Sequence, residues 1–204
     1  MPVTYAADSA GAPTLVLGHG AGAGQSHPWM TRVATGLAAR GVTVVTFNFP
    51  YIEAGRRTPD RAPALEDAFG AVWREAAAEA RGKIFAGGKS MGGRIASQAA
   101  ARGLLDPSPA GLIFFGYPLH PPNKPAQRRD RHLPDVGAAM LFLHGARDPF
   151  GTPDEMRELI ARLPGAQLEL IDDGDHSLVK PKRVDPRNES IDHALDVAVA
   201  WITR

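Results

Sequence analysis

Short apolar runs alternate along the chain with stretches in which apolar residues recur every three to four positions. The runs are Thr14–Leu17, Val42–Phe49, Lys83–Ala86, Gly111–Phe115, Ala139–Leu143 and Gln167–Ile171. Several are apolar throughout rather than alternating, as expected of strands covered by helices on both faces. Between them, Leu65, Phe69, Val72 and Ala76 share one helical face, and so do Ile191, Leu195, Ala198 and Ile202. Thr152-Pro153-Asp154-Glu155 combines a capping box with proline at the first helical position. Met156, Leu159, Ile160 and Leu163 continue that helix, and Pro164-Gly165 stops it. The pattern predicts an α/β domain spanning residues 1–204, with helices on both faces of a mostly parallel central sheet of about six to seven strands. No internal repeat or linker interrupts it.

Two segments are irregular. Residues 56–63 form a short polar loop, and residues 117–135 carry five prolines and the basic run Arg128-Arg129-Asp130-Arg131-His132. That run reads as a solvated loop rather than a patch for an acidic partner, and so does Lys180-Pro181-Lys182-Arg183.

Composition narrows the function classes. A net charge of +1 is too small to imply nucleic-acid or membrane binding. The absence of cysteine excludes disulfides, thiolate metal sites and a cysteine nucleophile. Met1–Ala12 lacks a basic segment followed by an apolar run, and no apolar stretch approaches the roughly 20 residues that cross a bilayer. The expectation is a cytoplasmic protein with no nucleic-acid or membrane partner.

Two glycine clusters compete as nucleotide sites. Gly88-Lys89-Ser90 resembles the end of a P-loop, but Lys83 occupies the place of the first glycine, and Ile84-Phe85-Ala86 is a strand ending rather than a phosphate cradle. Gly18-His19-Gly20-Ala21-Gly22-Ala23 matches a dinucleotide fingerprint. It lacks the acidic residue that should hold the ribose, because no Asp or Glu occurs between Asp8 and Glu53. His27-Pro28 also places the following helix start beyond the glycines.

Gly88-Lys89-Ser90-Met91-Gly92 fits better as G-x-S-x-G, the strand-to-helix turn that presents a nucleophilic serine. Such a serine needs a base, and the base needs an orienting carboxylate. Asp148 follows the strand Ala139–Leu143, and His176 follows the strand Gln167–Ile171. Ser90, Asp148 and His176 therefore converge on the carboxyl edge of the sheet in the order serine, acid, histidine. Asp172, Asp173 and Asp175 are too near His176 in sequence to orient it, and Asp154 and Glu155 serve a helix start. His19 and His144 are expected to make structural hydrogen bonds. The amide of Met91 and that of Ala21 are the expected oxyanion donors, with Gly22 as the alternative to Ala21.

The combination GHGAGAG, NFPY (48–51), GGKSMGGR, GYPLHPPNKP (116–125) and HGARDPFG resembles the α/β-hydrolase superfamily over nearly the whole chain. Within it, the chain is similar to small, capless, dienelactone-hydrolase-like bacterial proteins. That group is related to a mammalian testis-expressed protein and to a subunit of the nonspecific-lethal chromatin complex. The resemblance implies a Ser–Asp–His triad without metal or other cofactor. It does not carry over the dienelactone substrate, whose hydrolases use cysteine. The expected activity is serine-dependent cleavage of a small carboxylic ester or thioester; the alternative is a catalytically silent scaffold of the same fold. Residues 117–139 leave no room for a helical cap. Gly22, Pro50, Tyr51, Tyr117, Leu119, His120 and Phe150 are the expected substrate-lining positions. Lys89 and Arg94 flank the elbow, where they either meet an anionic substrate or face solvent, and the solvent-facing reading is preferred. A small-molecule substrate is the expected partner, and both monomer and homodimer remain open.

Overall fold

The computed structural model describes residues 1–204. In chain order the elements are β1 (Val3–Tyr5), β2 (Thr14–Gly18), α1 (Pro28–Ala38), β3 (Thr43–Phe47), α2 (Pro50–Glu53) and α3 (Ala62–Glu79). They continue with β4 (Ile84–Lys89), α4 (Met91–Ala101), β5 (Leu112–Phe115), β6 (Met140–Gly145), α5 (Pro153–Ile160), β7 (Ala166–Ile171) and α6 (Glu189–Ile202). The seven strands form one sheet in the order β1-β3-β2-β4-β5-β6-β7, and every pairing is parallel except β1 with β3.

The apolar runs are continuous because each strand serves two cores. Leu15 and Leu17 point to one face with Ile113 and Phe115, beneath α1 and α6. Val16, Leu112 and Phe114 point to the other, beneath α3, α4 and α5. The amphipathic faces expected for α3 and α6 are the ones buried: Leu65, Phe69 and Ala76 on the first, Ile191, Leu195, Ala198 and Ile202 on the second. Each such leucine, isoleucine or phenylalanine contributes about 1.5–3 kcal/mol by leaving water.

The structure departs from the sequence expectation at element ends. β1 is an exposed antiparallel edge strand, too short to show a period. β3 stops at Phe47 because Phe49 leaves the sheet to become the N-cap of α2. β4 runs on through Lys89 to the residue before the serine. α1 begins after His27, whose Nδ1 accepts from the Trp29 N–H (3.2 Å), so Gly20, Gly22 and Gly24 stay in a loop. No helix is long and apolar enough to cross a membrane.

The capping box of α5 forms as expected. Glu155 N–H donates to Thr152 Oγ1 (3.3 Å) and Thr152 N–H donates to Glu155 Oε2 (2.8 Å). Thr152→Ala should destabilise the protein by about 1 kcal/mol. That corresponds to a fall in Tm of about 2–4 °C for a domain of this size, measurable by circular dichroism.

Candidate active site

Ser90 occupies the turn between β4 and α4 with φ 50° and ψ −115°, a left-handed conformation that side chains rarely adopt. Glycines make the turn possible. A Cβ on Gly92 would strike Gly18 O, and one on Gly88 would lie 2.6 Å from the same oxygen. The three backbones are therefore in direct contact, and the hydroxyl is pushed out at the carboxyl edge.

Asp148 lies in the loop after β6, and His176 in the loop after β7. Ala146 N–H donates to Ile171 O (3.0 Å) and Arg147 N–H to Gly174 O (2.8 Å), which ties the two loops together. Asp175 shapes the histidine loop: its Oδ1 accepts from Ser177 N–H (2.7 Å) and Val179 N–H (3.1 Å). His176 Nε2 lies 2.8 Å from Ser90 Oγ, and its Nδ1 lies 2.7 Å from Asp148 Oδ2. The other Asp148 oxygen accepts from Phe150 N–H (2.9 Å). Burial alone would raise the Asp148 pKa, but the hydrogen bond and charge of His176, together with His144 and the Phe150 amide, pull it below its ordinary value. The carboxylate is thus ionised, and an ionised acceptor favours the tautomer with hydrogen on Nδ1 and a lone pair on Nε2 facing the serine. Ser90, Asp148 and His176, which sequence order alone linked, are brought together.

The loop after β2 approaches the same point. Gly20 and Ala21 line a cleft of about 490 Å³ with Ser90, Met91 and His176. Ala21 N–H makes no hydrogen bond within the chain, whereas Gly22 N–H is taken by Tyr51 Oη at 3.3 Å. Met91 begins α4, so its N–H has no intrahelical partner. His19 and His144 have the structural roles expected of them. Phe49 N–H donates to His19 Nε2 (3.1 Å), leaving Nδ1–H to donate to Gly20 O (2.8 Å). His144 Nε2–H donates to Gly151 O (2.8 Å). Burial lowers the pKa of both rings.

Several expected lining residues do not reach the cleft. Phe150 does, with its ring 4.3 Å from that of His176. Tyr51 is fully buried and holds the glycine loop from behind, and Gly22 is exposed outside the cleft. Pro50 is exposed beside it, also outside the lining. Tyr117 and Leu119 turn into the core. His120 turns away to hydrogen-bond Pro121 O (2.8 Å) and Glu155 Oε2 (3.2 Å). Burying two large apolar bodies gains more than exposing them at a rim, and local sequence does not reveal which way the chain turns after β5. The walls come instead from Trp29 and Met30 of α1, Pro59 and Asp60, Ala62 and Leu65 of α3, Pro118 and Arg129. The segment expected to be merely a polar loop (56–63) thus supplies part of the cleft.

Lys89 and Arg94 also depart from expectation, for neither is a free surface charge. Lys89 is buried, its Nζ donates to His176 O, and the ammonium lies 5.6 Å from the centre of the Trp29 ring. Trp29 Nε1–H donates to the next carbonyl, Ser177 O, at 3.0 Å. Two consecutive carbonyls of the histidine loop are therefore held from below. Gly116 gives them space, since a Cβ there would lie 2.6 Å from His176 O. Spacing within the sequence offers no signal for this anchor. Burial drives the Lys89 pKa down from 10.5 to about 8, against the attraction of Asp148 and Asp175.

Residues 11–203 match the sequence profile of the alpha/beta hydrolase domain family, and the chain belongs to that family. Solved structures with the same fold include a serine hydrolase without lid from Xanthomonas campestris (21% identity, TM-score 0.73, covering 98% of this chain and 88% of that one). Est1E from Butyrivibrio proteoclasticus, solved with ferulic acid, is similar over 100% of this chain and 96% of its own (14% identity, TM-score 0.76). A dienelactone hydrolase from Anabaena variabilis is similar over 99% and 90% (18% identity, TM-score 0.72). The fold is thus a capless α/β-hydrolase fold.

The Lys89 ammonium yields a pH test. A depressed pKa means that burying the charge costs stability below about pH 8, and that this cost fades as pH rises from about 8 to 10.5. The Tm of wild type should therefore rise relative to that of Lys89→Met across this window; parallel Tm curves would refute the assignment.

Proposed function

We propose that this member of the alpha/beta hydrolase family is a serine hydrolase that cleaves a small carboxylic ester or thioester through an acyl-serine intermediate. The observation that carries the reading is the hydrogen-bonded line Ser90–His176–Asp148 at the mouth of a cleft (2.8 and 2.7 Å). Such a line gives the serine a base and the base an orienting anion.

Ser90 Oγ attacks the substrate carbonyl carbon as its proton passes to His176 Nε2. Asp148 keeps the ring oriented and stabilises the imidazolium. The tetrahedral oxyanion is bound by the N–H groups of Met91 and Ala21, an assignment supported by their lack of acceptors and by the engagement of Gly22 with Tyr51. Collapse breaks the bond to the alkoxide or thiolate, which takes the proton from His176 Nε2. A water then gives a proton to the same nitrogen and attacks the acyl group. The carboxylic acid leaves and Ser90 recovers its hydrogen. Phe150, Trp29, Met30 and Leu65 offer apolar surface suited to a small acyl or aryl group.

A fluorophosphonate probe read by intact mass should label wild type and leave Ser90→Ala unlabelled. Absence of labelling in wild type would favour a silent scaffold. On a panel of 4-nitrophenyl esters and acyl thioesters, Ser90→Ala should lose several orders of magnitude in kcat. Asp148→Asn should lose about 10³–10⁴, because asparagine favours the wrong tautomer. Turnover near that of wild type in Asp148→Asn would sink the acid assignment.

A further inference from the structure

Two arginines, Arg94 and Arg129, line the cleft with Ser90 and Met91. Neither forms an ion pair. The nearby carboxylates are committed elsewhere: Asp60 to Arg56 (2.7 Å), Glu66 to Arg102, and Asp130 to Arg128 (2.5 Å) and Arg162 (3.5 Å). Lys89, the third cation of the cleft, is engaged with His176 O.

Arg94 occupies an unfavourable place in three respects. It lies in the first turn of α4, where the helix field repels a cation. It is half-buried, so its charge is disfavoured first by burial and then by Arg129. Its Nη1 donates to Gln98 Oε1 (3.0 Å), but its Nε is buried with no acceptor. A buried donor left unpaired is destabilising, and more so on a charged group.

The backbone of Arg129 is fixed as well. Its N–H donates to Leu119 O (2.9 Å) and its carbonyl accepts from Tyr117 Oη (2.8 Å). Three residues on, His132 Nε2 lies 2.8 Å from Ser97 Oγ of α4, and the Ser97 hydroxyl donates to Arg94 O (2.9 Å). Burial and Arg94 lower the His132 pKa to about 4, so this tie is that of a neutral ring. The loop 117–132 is thereby pinned onto α4, and its arginine is held in the same cleft as Arg94.

An anion held between Arg94 and Arg129 would offset both their mutual repulsion and the field of the helix. Resting on the hydrolase reading above, we propose that the substrate is an ester or thioester that carries a carboxylate in addition to its scissile bond, and that Arg94 and Arg129 bind that carboxylate. Guanidinium forks match the planar geometry of a carboxylate.

The test compares kcat/KM for 4-nitrophenyl hydrogen glutarate and 4-nitrophenyl pentanoate after subtraction of the uncatalysed rates. Wild type should prefer the anionic ester by about tenfold or more at low ionic strength, and the preference should shrink as salt rises. Arg94→Gln and Arg129→Gln should each reduce the ratio of the two kcat/KM values about fivefold or more, and Arg129→Lys should restore part of it. Cleavage of both esters with no preference, or a ratio unmoved by either glutamine variant, would overturn the carboxylate assignment and leave the hydrolase reading standing. A second arm is independent of turnover: calorimetric titration of glutarate, and separately of inorganic phosphate, into Ser90→Ala. Glutarate binding that is lost in Ser90→Ala/Arg94→Gln supports the anion site even if no ester is cleaved. Binding of phosphate but not of glutarate overturns it.

Discussion

The geometry of this protein depends on one backbone contact, where Gly18, Gly88 and Gly92 meet beside a serine held at φ 50°. Strain of this kind costs of the order of 1–3 kcal/mol and persists only where the surroundings over-determine it. Here β2, β4 and α4 do so, because their close approach excludes a side chain at Gly88 and Gly92 and leaves a tight fit at Gly18. The same approach has two consequences for the site. It pushes the Ser90 hydroxyl clear of the sheet edge, and it brings the loop after β2, with its unpaired Ala21 amide, to the wall of the cleft that Met91 also lines. A bulkier residue at Gly88 or Gly92 would separate these groups together.

Around that rigid point the histidine is held by contacts that differ in chemistry. Asp148 and Ser90 take its ring nitrogens, while Lys89 and Trp29 take the carbonyls of His176 and Ser177. Placing the ammonium against the loop backbone instead of in solvent fixes the ring without engaging either ring nitrogen. The remaining cleft arginines differ: Arg94 bonds only the neutral Gln98 amide, and neither Arg94 nor Arg129 forms an ion pair. Tyr117 belongs to the scaffold, since it acts on the cleft only by holding the Arg129 carbonyl.

Local patterns in the chain determined much of this. Apolar runs of strand length, amphipathic faces such as that of Leu65 and Phe69, the Thr152 capping box and the spaced glycines each constrain their own few residues. An α/β sheet with Ser90, Asp148 and His176 at one edge follows from them, because parallel strands deliver their following loops to the same side. The short edge strand β1 escaped because three residues carry no period. Tertiary structure alone decided where side chains at loop positions point. Tyr117, Leu119 and His120 share the apolar or aromatic character of Phe150, yet only Phe150 reaches the cleft. Lys89 and Arg94 look like surface charges until Trp29 and Arg129 are brought beside them. The Trp29 bond to Ser177 spans 148 residues and the Lys89 bond to His176 spans 87. Periodicity and turn chemistry describe what the backbone does over a few residues, but partners at such separations exist only once the sheet has formed and its loops have packed.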